Sequence, residues 1–310
     1  MSLTTDIMSP VQTGGMMYPQ LHNMIIQTIM PNMVARQFLA PYSLTSGNAV
    51  TFAKQSGSPG AVADEISEGA EIPMDVTSYS QAVVIPKKVG QGLIITRETI
   101  EDAQLPVQAD QLTRKALIVA NKIDKDCVDV IDAGASGSVT ATGKSLALDG
   151  TEFVLSGSGG PGLGYYDISD AKVLVENNNY MPDSLLIHPR AKRYLERLPH
   201  FTAAFAVGGT GRMSSGLMAV PGVVGQILGL DVFCSTNCGT GSAYVLCRGA
   251  NPTITGQYGP LGFFVERRPV TTEVQAMPSR DSMGIFITTR YGVVVTVGEA
   301  ACKIASINVT

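Results

Sequence analysis

Apolar and polar positions follow two patterns in succession between residues 46 and 132. The first is a long two-stranded excursion. It leaves as Asn48-Ala-Val-Thr-Phe52, passes through a Gly, Ser and acid-rich stretch from Ser56 to Glu71, and returns as Val76 to Ile95. Both arms are rich in β-branched residues and the middle favours turns, so the sequence predicts an extended hairpin with a projecting tip. The second pattern is helical. From Leu105 to Ile131, Ala109, Leu112, Ala116, Val119, Ile123, Cys127 and Val130 recur at alternating steps of three and four. Arg114, Lys115, Lys122, Lys125 and Asp129 lie mainly off that stripe, which predicts one buried face. Pro106 suits the first turn and Gly134 supplies a stop. A helix of about 26 residues is roughly 39 Å long, above the usual length in a globular domain.

The flanking segments differ in character. Residues 1–45 carry only Asp6 and Arg36 as charges but hold Met16, Met17, Tyr18, Ile25, Ile26, Ile29 and Met30, a composition expected of an arm packed on protein. From Ala133 to Gly164 the chain is Gly and Ser-rich and reads as loop. Asp167 or Ser169 caps a helix through about Asn177, Leu185 to Ile187 reads as a buried strand, and Pro189 opens a helix ending near Leu198. Strands are expected near Gln226 to Cys234 and Ala243 to Cys247, after an irregular stretch containing the Gly208 to Gly211 loop. From Thr253 onward apolar and polar residues alternate in two long runs, Phe263 to Ala276 and Met283 to Val297, joined by a turn at Pro278 to Asp281. Ala300 to Ile307 is a last strand.

Composition bounds the function. A chain of 310 residues is one large domain or two modest ones, long enough for a real core. Charged residues make up only 15%, and Gly numbers 33, which fits a β-rich protein much of whose uncharged surface meets other protein. A net charge of −4 argues against a phosphate-gripping surface as the main business of the chain. Basic residues are scattered. The nearest to clusters are Arg190, Lys192, Arg193 and Arg197, read as a solvated or intersubunit helix face, and the pair Arg267-Arg268. No run of about 18 apolar residues predicts a membrane helix, and the first residues lack a secretory signal, so synthesis in a cytosol is expected. Five irregularly spaced cysteines do not make a disulfide framework.

Candidate chemistry is thin. Gly143-Lys144-Ser145 resembles the end of a phosphate-binding loop, but Ser138 stands where the earlier Gly is needed and no convincing helix follows. Asp124, Asp126 and Asp129 superficially suggest a calcium loop, but Val128 falls at the fifth position and no turn Gly follows, so they read as carboxylates on the helix surface. Cys234, Cys238 and Cys247 match no common zinc spacing. His188 sits before Pro189, where capping or packing is expected, and His22 and His200 have no recognisable triad partners. No catalytic residue, metal site or cofactor is assigned.

The order of these segments resembles the major capsid proteins of tailed double-stranded DNA phages, the Hong Kong 97-type fold. Ser67-Glu-Gly-Ala-Glu-Ile-Pro73 resembles the acidic tip of that family's E-loop, and Ile94 to Asp102 resembles the lead into its spine helix. Asp167 to Lys172 followed by Tyr180 to Pro189 is similar to its A-domain helix, strand and His-Pro turn. The resemblance covers nearly the whole chain and implies an α+β fold. Its parts would be an N-arm (1–45), E-loop (46–95), spine helix of the P-domain (96–132), A-domain (133–252), long P-domain strands (253–299) and a C-terminal strand returning to the A-domain (300–310). It also implies a structural, non-enzymatic role: a shell of pentamers and hexamers around double-stranded DNA, contacted weakly and non-specifically, and assembled in the host cytoplasm. A portal and, where present, decoration proteins are implied partners, and a separate scaffolding protein is expected because about 45 residues precede the E-loop. Some members join an E-loop Lys to a neighbour's Asn, but no Lys lies between Lys54 and Lys87, so no covalent weld is expected here. Candidate intersubunit contacts are Asp64, Glu65, Glu68 and Glu71 against Arg97, Arg267, Arg268 and Arg280 of a neighbour, with Met16, Met17 and Tyr18 in the N-arm. An encapsulin, a cargo compartment of the same fold, is the alternative; against it stands the long apolar N-arm.

Overall fold

Two sheets and one long helix carry the architecture. The computed structural model describes residues 25, 33–55, 65, 79–96, 98–99, 107–147, 149–157, 159–198, 223–248 and 261–309. After a short 3-10 turn at Ala35–Phe38 come β1 (Ala40–Ser43), β2 (Val50–Gln55), β3 (Tyr79–Val84), β4 (Lys87–Thr96) and helix α1 (Val107–Gly134). Next are β5 (Gly137–Thr140), β6 (Lys144–Leu146), β7 (Glu152–Val154), β8 (Ser156–Gly157) and β9 (Gly160–Pro161). Helix α2 (Tyr165–Asn177), β10 (Ser184–Ile187) and α3 (Pro189–Glu196) follow, then β11 (Val223–Ile227), β12 (Leu230–Cys234) and β13 (Ala243–Leu246). The chain closes with β14 (Gly262–Met277), β15 (Ser282–Val295) and β16 (Ala301–Ala305).

A four-stranded sheet has the order β1-β14-β15-β4, and a six-stranded sheet the order β11-β12-β10-β13-β16-β5. Helix α1 packs on β4 and β15 of the first sheet and reaches β16 of the second. Its buried face includes Leu112, Ala116, Val119, Ile123 and Cys127, as the apolar period predicts, and adds Ala120, Val128 and Ile131. Burying each of the larger aliphatic side chains contributes roughly 1.5–3 kcal/mol relative to exposure, so tertiary packing rather than propensity holds the length of this helix.

The structure corrects several expectations. Asp124, read as a surface carboxylate, is fully buried. It accepts from Ala35 N at 2.6 Å, Ser235 Oγ at 2.7 Å and Asn237 Nδ2 at 2.8 Å, so one carboxylate ties the helix to the 3-10 turn and to the loop after β12. Those partners are distant in sequence, which hides the role. Gly134 is the last helical residue rather than a stop beyond the helix. A Cβ there would lie 2.6 Å from Val295 Cβ, so the glycine serves close approach of helix and strand.

The return arm Val76 to Ile95, read as one run, contains two strands in different sheets: β3 pairs with β2, whereas β4 pairs with β15. The break falls at Ile85-Pro86, where proline cannot donate to a ladder. The stretch 133–164, read as loop, contains five short strands whose Gly and Ser content conceals any apolar period. Strand β1, parallel to β14, was not anticipated. Helix α2 starts before the expected cap: Gly164 is the N-cap and Asp167 accepts from Gly164 N at 2.8 Å, while also holding the backbone of Thr142 and Gly143.

Other expectations match. Ser184–Ile187 is wholly buried, and His188 Nδ1 accepts from Arg190 N at 3.0 Å as the N-cap of α3. β11 and β12 join through Leu228-Gly229, both at positive φ, the two-residue hairpin geometry suited to strand twist. Pro278–Arg280 forms a 3-10 turn between the long strands. The Gly208 to Gly211 loop and the Pro106 position lie outside the described residues.

Candidate functional site

The β2–β3 hairpin projects from the first sheet, and its base is built as an anchor. Leu44, Val84 and Val265 form a small apolar cluster of their own, joined by Val50, Phe52, Phe263 and Val294. Phe52 stacks on Phe263 at 4.3 Å and meets Tyr42 edge-on at 5.4 Å. Leu44 N donates to Glu266 O at 2.9 Å, and Arg36, over the Phe264 ring at 4.5 Å, lies 3.6 Å from the Glu266 carboxylate. At Gly292 a Cβ would fall 2.4 Å from Val84 Cγ1, so the hairpin base sits directly on β15.

Beside this base lies an open basin of about 720 Å³ lined by Leu44, Pro86, Lys88, Arg267, Arg268 and Arg290, among others, with no carboxylate among the described residues of its lining. Strand register explains it. Arg268 on β14 pairs with Arg290 on β15, and Arg290 pairs with Lys88 on β4, so three cations stand in one cross-strand row. The register slips between Glu266 and Arg268, leaving Arg267 as the extra residue of a bulge, and such bulges re-aim a side chain. Arg267 Nη1 donates to Leu44 O at 2.9 Å, Arg268 Nη2 to Thr288 Oγ1 at 2.8 Å and Arg290 Nε to Pro86 O at 3.1 Å. Arg268 Nε is buried without a partner among the described residues.

Of the residues singled out from the sequence, Arg267 and Arg268 come together here. Arg280 is exposed in the turn at the far end of the long strands, and Glu65 is exposed. Asp64, Glu68, Glu71, Arg97, Met16, Met17 and Tyr18 lie outside the described residues. Lys88 and Arg290 were missed, because only strand pairing brings positions 88, 268 and 290 into one row.

The reactive side chains are used structurally. Cys127, Cys238, Cys247 and Cys302 are buried, and burial pushes the thiol of Cys238 up to about 12 and that of Cys302 up to about 11. Cys127 is shifted further in the same direction, by burial and then by Asp124. Thiols held this high supply no thiolate near neutral pH. Burial and the nearby Arg190 lower the pKa of His188, keeping its ring neutral to cap α3. The Gly143-Lys144-Ser145 string is also structural: Ser145 is buried and its Oγ accepts from Tyr165 N at 3.0 Å. No helix among the described residues is long and apolar enough to cross a membrane.

Residues 78–304 match a family described as phage capsid protein. No curated protein sequence matches the chain. Solved structures with a similar fold include one from Mycobacterium phage Bobi, with a TM-score of 0.60 and 12% identity over 88% of this chain and 90% of that one. The capsid structure of cyanophage P-SCSP1u gives a TM-score of 0.57 and 14% identity over 87% of each chain. A virus-like particle from Pyrococcus furiosus gives 0.56 and 12% identity over 93% of this chain and 99% of that one.

Proposed function

The chain belongs to the phage capsid protein family, whose members are structural rather than enzymatic, and we propose that its copies form pentamers and hexamers of an icosahedral shell around double-stranded DNA. The fold is of the Hong Kong 97 type. Within it, the segments are assigned as N-arm (1–45), E-loop (46–95), spine helix (96–132), A-domain (133–252), long P-domain strands (253–299) and C-terminal strand (300–310). The observation that carries the reading is the β2–β3 hairpin, a two-stranded sheet of its own, anchored at its base by aromatic stacking and left with Thr51, Ala53, Lys54, Ser80, Gln81 and Val83 exposed among the described residues. An isolated two-stranded ribbon is marginal in water, so this one calls for cover from a neighbouring copy.

The shell is held without covalent joints, by overlap of the E-loop and the N-arm residues Met16, Met17 and Tyr18 with adjacent subunits. Asp64, Glu65, Glu68 and Glu71 meet arginines of a neighbour. Many modest contacts, repeated by closed symmetry, give such a shell its strength. Packaged DNA touches the wall weakly, as the net charge of −4 favours. Assembly takes place in the host cytoplasm and incorporates a portal.

The fold shared with the Pyrococcus virus-like particle supports a second reading, a compartment that stores protein cargo. Electron microscopy of native particles, paired with nuclease protection, separates the two. Uniform icosahedra with protected double-stranded DNA support the phage reading. DNA-free shells filled with protein favour the compartment, and a dispersed monomer or dimer refutes both.

A further inference from the structure

We propose that the cationic basin between the two roots of the β2–β3 hairpin is a binding site for a free tetrahedral oxyanion of the phosphate class, held by Arg267, Arg268, Arg290 and Lys88 of one chain. Binding is a property of the single subunit and goes beyond the shell reading above.

Strand register builds the basin at an electrostatic cost. Arg268, Arg290 and Lys88 stand in one row across β14, β15 and β4, although like charges directly opposite on neighbouring strands repel, and the bulge brings Arg267 to the same basin. The two acids of these three strands do not relieve the row. Glu266 is opposite Tyr291, one residue along from Arg290 and so on the other face of the sheet, where it lies 3.6 Å from Arg36. Glu273 shares the face of Arg290 but pairs with Phe286, about 13 Å away along β15.

Donor geometry selects the ligand. Two of the arginines already hold the roots of the hairpin. Arg267 Nη1 donates to Leu44 O at 2.9 Å, ahead of β2, and Arg290 Nε donates to Pro86 O at 3.1 Å, behind β3. Arg268 Nη2 donates to Thr288 Oγ1 at 2.8 Å, and its Nε is buried without a partner among the described residues. A guanidinium carries five N–H donors, so each arginine has donors beyond these. A planar carboxylate offers its oxygens along one edge. Phosphate offers them at tetrahedral corners and carries more negative charge near neutral pH, so it better matches cations converging from three strands. A basin of about 720 Å³ holds such an ion together with its remaining water. The net charge of −4 disfavours a nucleic acid, which meets the whole surface, more than a small ion, which meets the basin alone. A bound oxyanion relieves the repulsion in the row and links the side chains that hold both roots.

Equilibrium dialysis of the full-length chain against radiolabelled inorganic phosphate, with chloride holding the ionic strength constant, is expected to show one saturable site per chain. Arg268→Gln combined with Arg290→Gln is expected to weaken binding by about tenfold or more, because each removes a charge-assisted donor. A milder variant guards against loss of folding. Lys88 is exposed, so Lys88→Gln is expected to weaken binding several-fold while leaving the melting temperature unchanged. Lys125→Gln, at an exposed position on α1 away from the basin, is expected to bind as wild type does. A short DNA duplex serves as the competing probe. Failure to saturate, or equal losses in the Lys88 and Lys125 variants, would reduce the effect to general screening and overturn the site. Displacement of phosphate by the duplex at a lower concentration of phosphate groups would assign the basin to nucleic acid and overturn it as well.

Discussion

Substitution Asp124→Ala tests whether one buried carboxylate organises the junction of helix, 3-10 turn and second sheet. The side chain is fully buried and accepts three hydrogen bonds, from Ala35 N, Ser235 Oγ and Asn237 Nδ2. Truncation strands the Ala35 amide, which also starts the 3-10 turn and has no freedom to rotate away; an unsatisfied buried donor costs about 1–3 kcal/mol. Ser235 and Asn237 can turn toward other acceptors, so each adds less, about 0.5–1 kcal/mol. Relief from desolvating a carboxylate offsets part of the sum, leaving a net loss of about 2–4 kcal/mol. Asp124→Asn keeps a carbonyl for Ala35 N but points an amide at the other donors, and is expected to cost less, about 1–2 kcal/mol. Urea unfolding at fixed protein concentration provides the measurement, with the transition slope unchanged if only stability is affected. Asp129→Ala, at an exposed site on the same helix, is the control and should stay within about 0.5 kcal/mol of wild type. If Asp124→Ala cost no more than that control, the junction would not depend on the carboxylate and the argument would fail.

Gly134→Ala is expected to destabilise despite its better helix propensity. The new Cβ would press on Val295, and overpacking of about 1–3 kcal/mol outweighs a propensity gain of about 1 kcal/mol. Pairing it with Val295→Ala should recover stability in a double-mutant cycle, and strict additivity would refute the contact. Acid stability should depend on Asp132. Burial pushes its carboxyl up, but hydrogen bonds from Lys303 at 2.5 Å and Tyr244 at 2.8 Å pull it net below the usual carboxylate range. A lowered folded value makes its contribution complete above the unfolded pKa of about 3.9 and lost as pH falls through the folded one. Asp132→Asn should therefore flatten the fall in melting temperature below that pH, modestly because the pair is partly solvated. An unchanged acid slope would count against it.

The sequence by itself determined the parts that follow from local periodicity. The stripe from Leu112 to Cys127 specifies a helix with one apolar face, and the alternation after residue 261 specifies two long strands, because each pattern is stable only when its apolar set turns toward one core. The buried Ser184–Ile187 strand and the His188-Pro189 helix start are legible for the same local reason. The order of these elements also carried the family resemblance. Tertiary structure alone decided the rest. Asp124 looks like its exposed neighbours Lys125 and Asp129 until Ala35, Ser235 and Asn237 arrive around it from elsewhere in the chain. The return arm divides at Pro86 because β15 claims one half and β2 the other, a choice of partner that no alternation encodes. The cationic basin depends on register: a slip of one residue would move Lys88 to the opposite face from Arg290 and dissolve the row. Pairing between strands separated by hundreds of residues is set by the packing of the whole sheet, and it brings Lys88, Arg268 and Arg290 together.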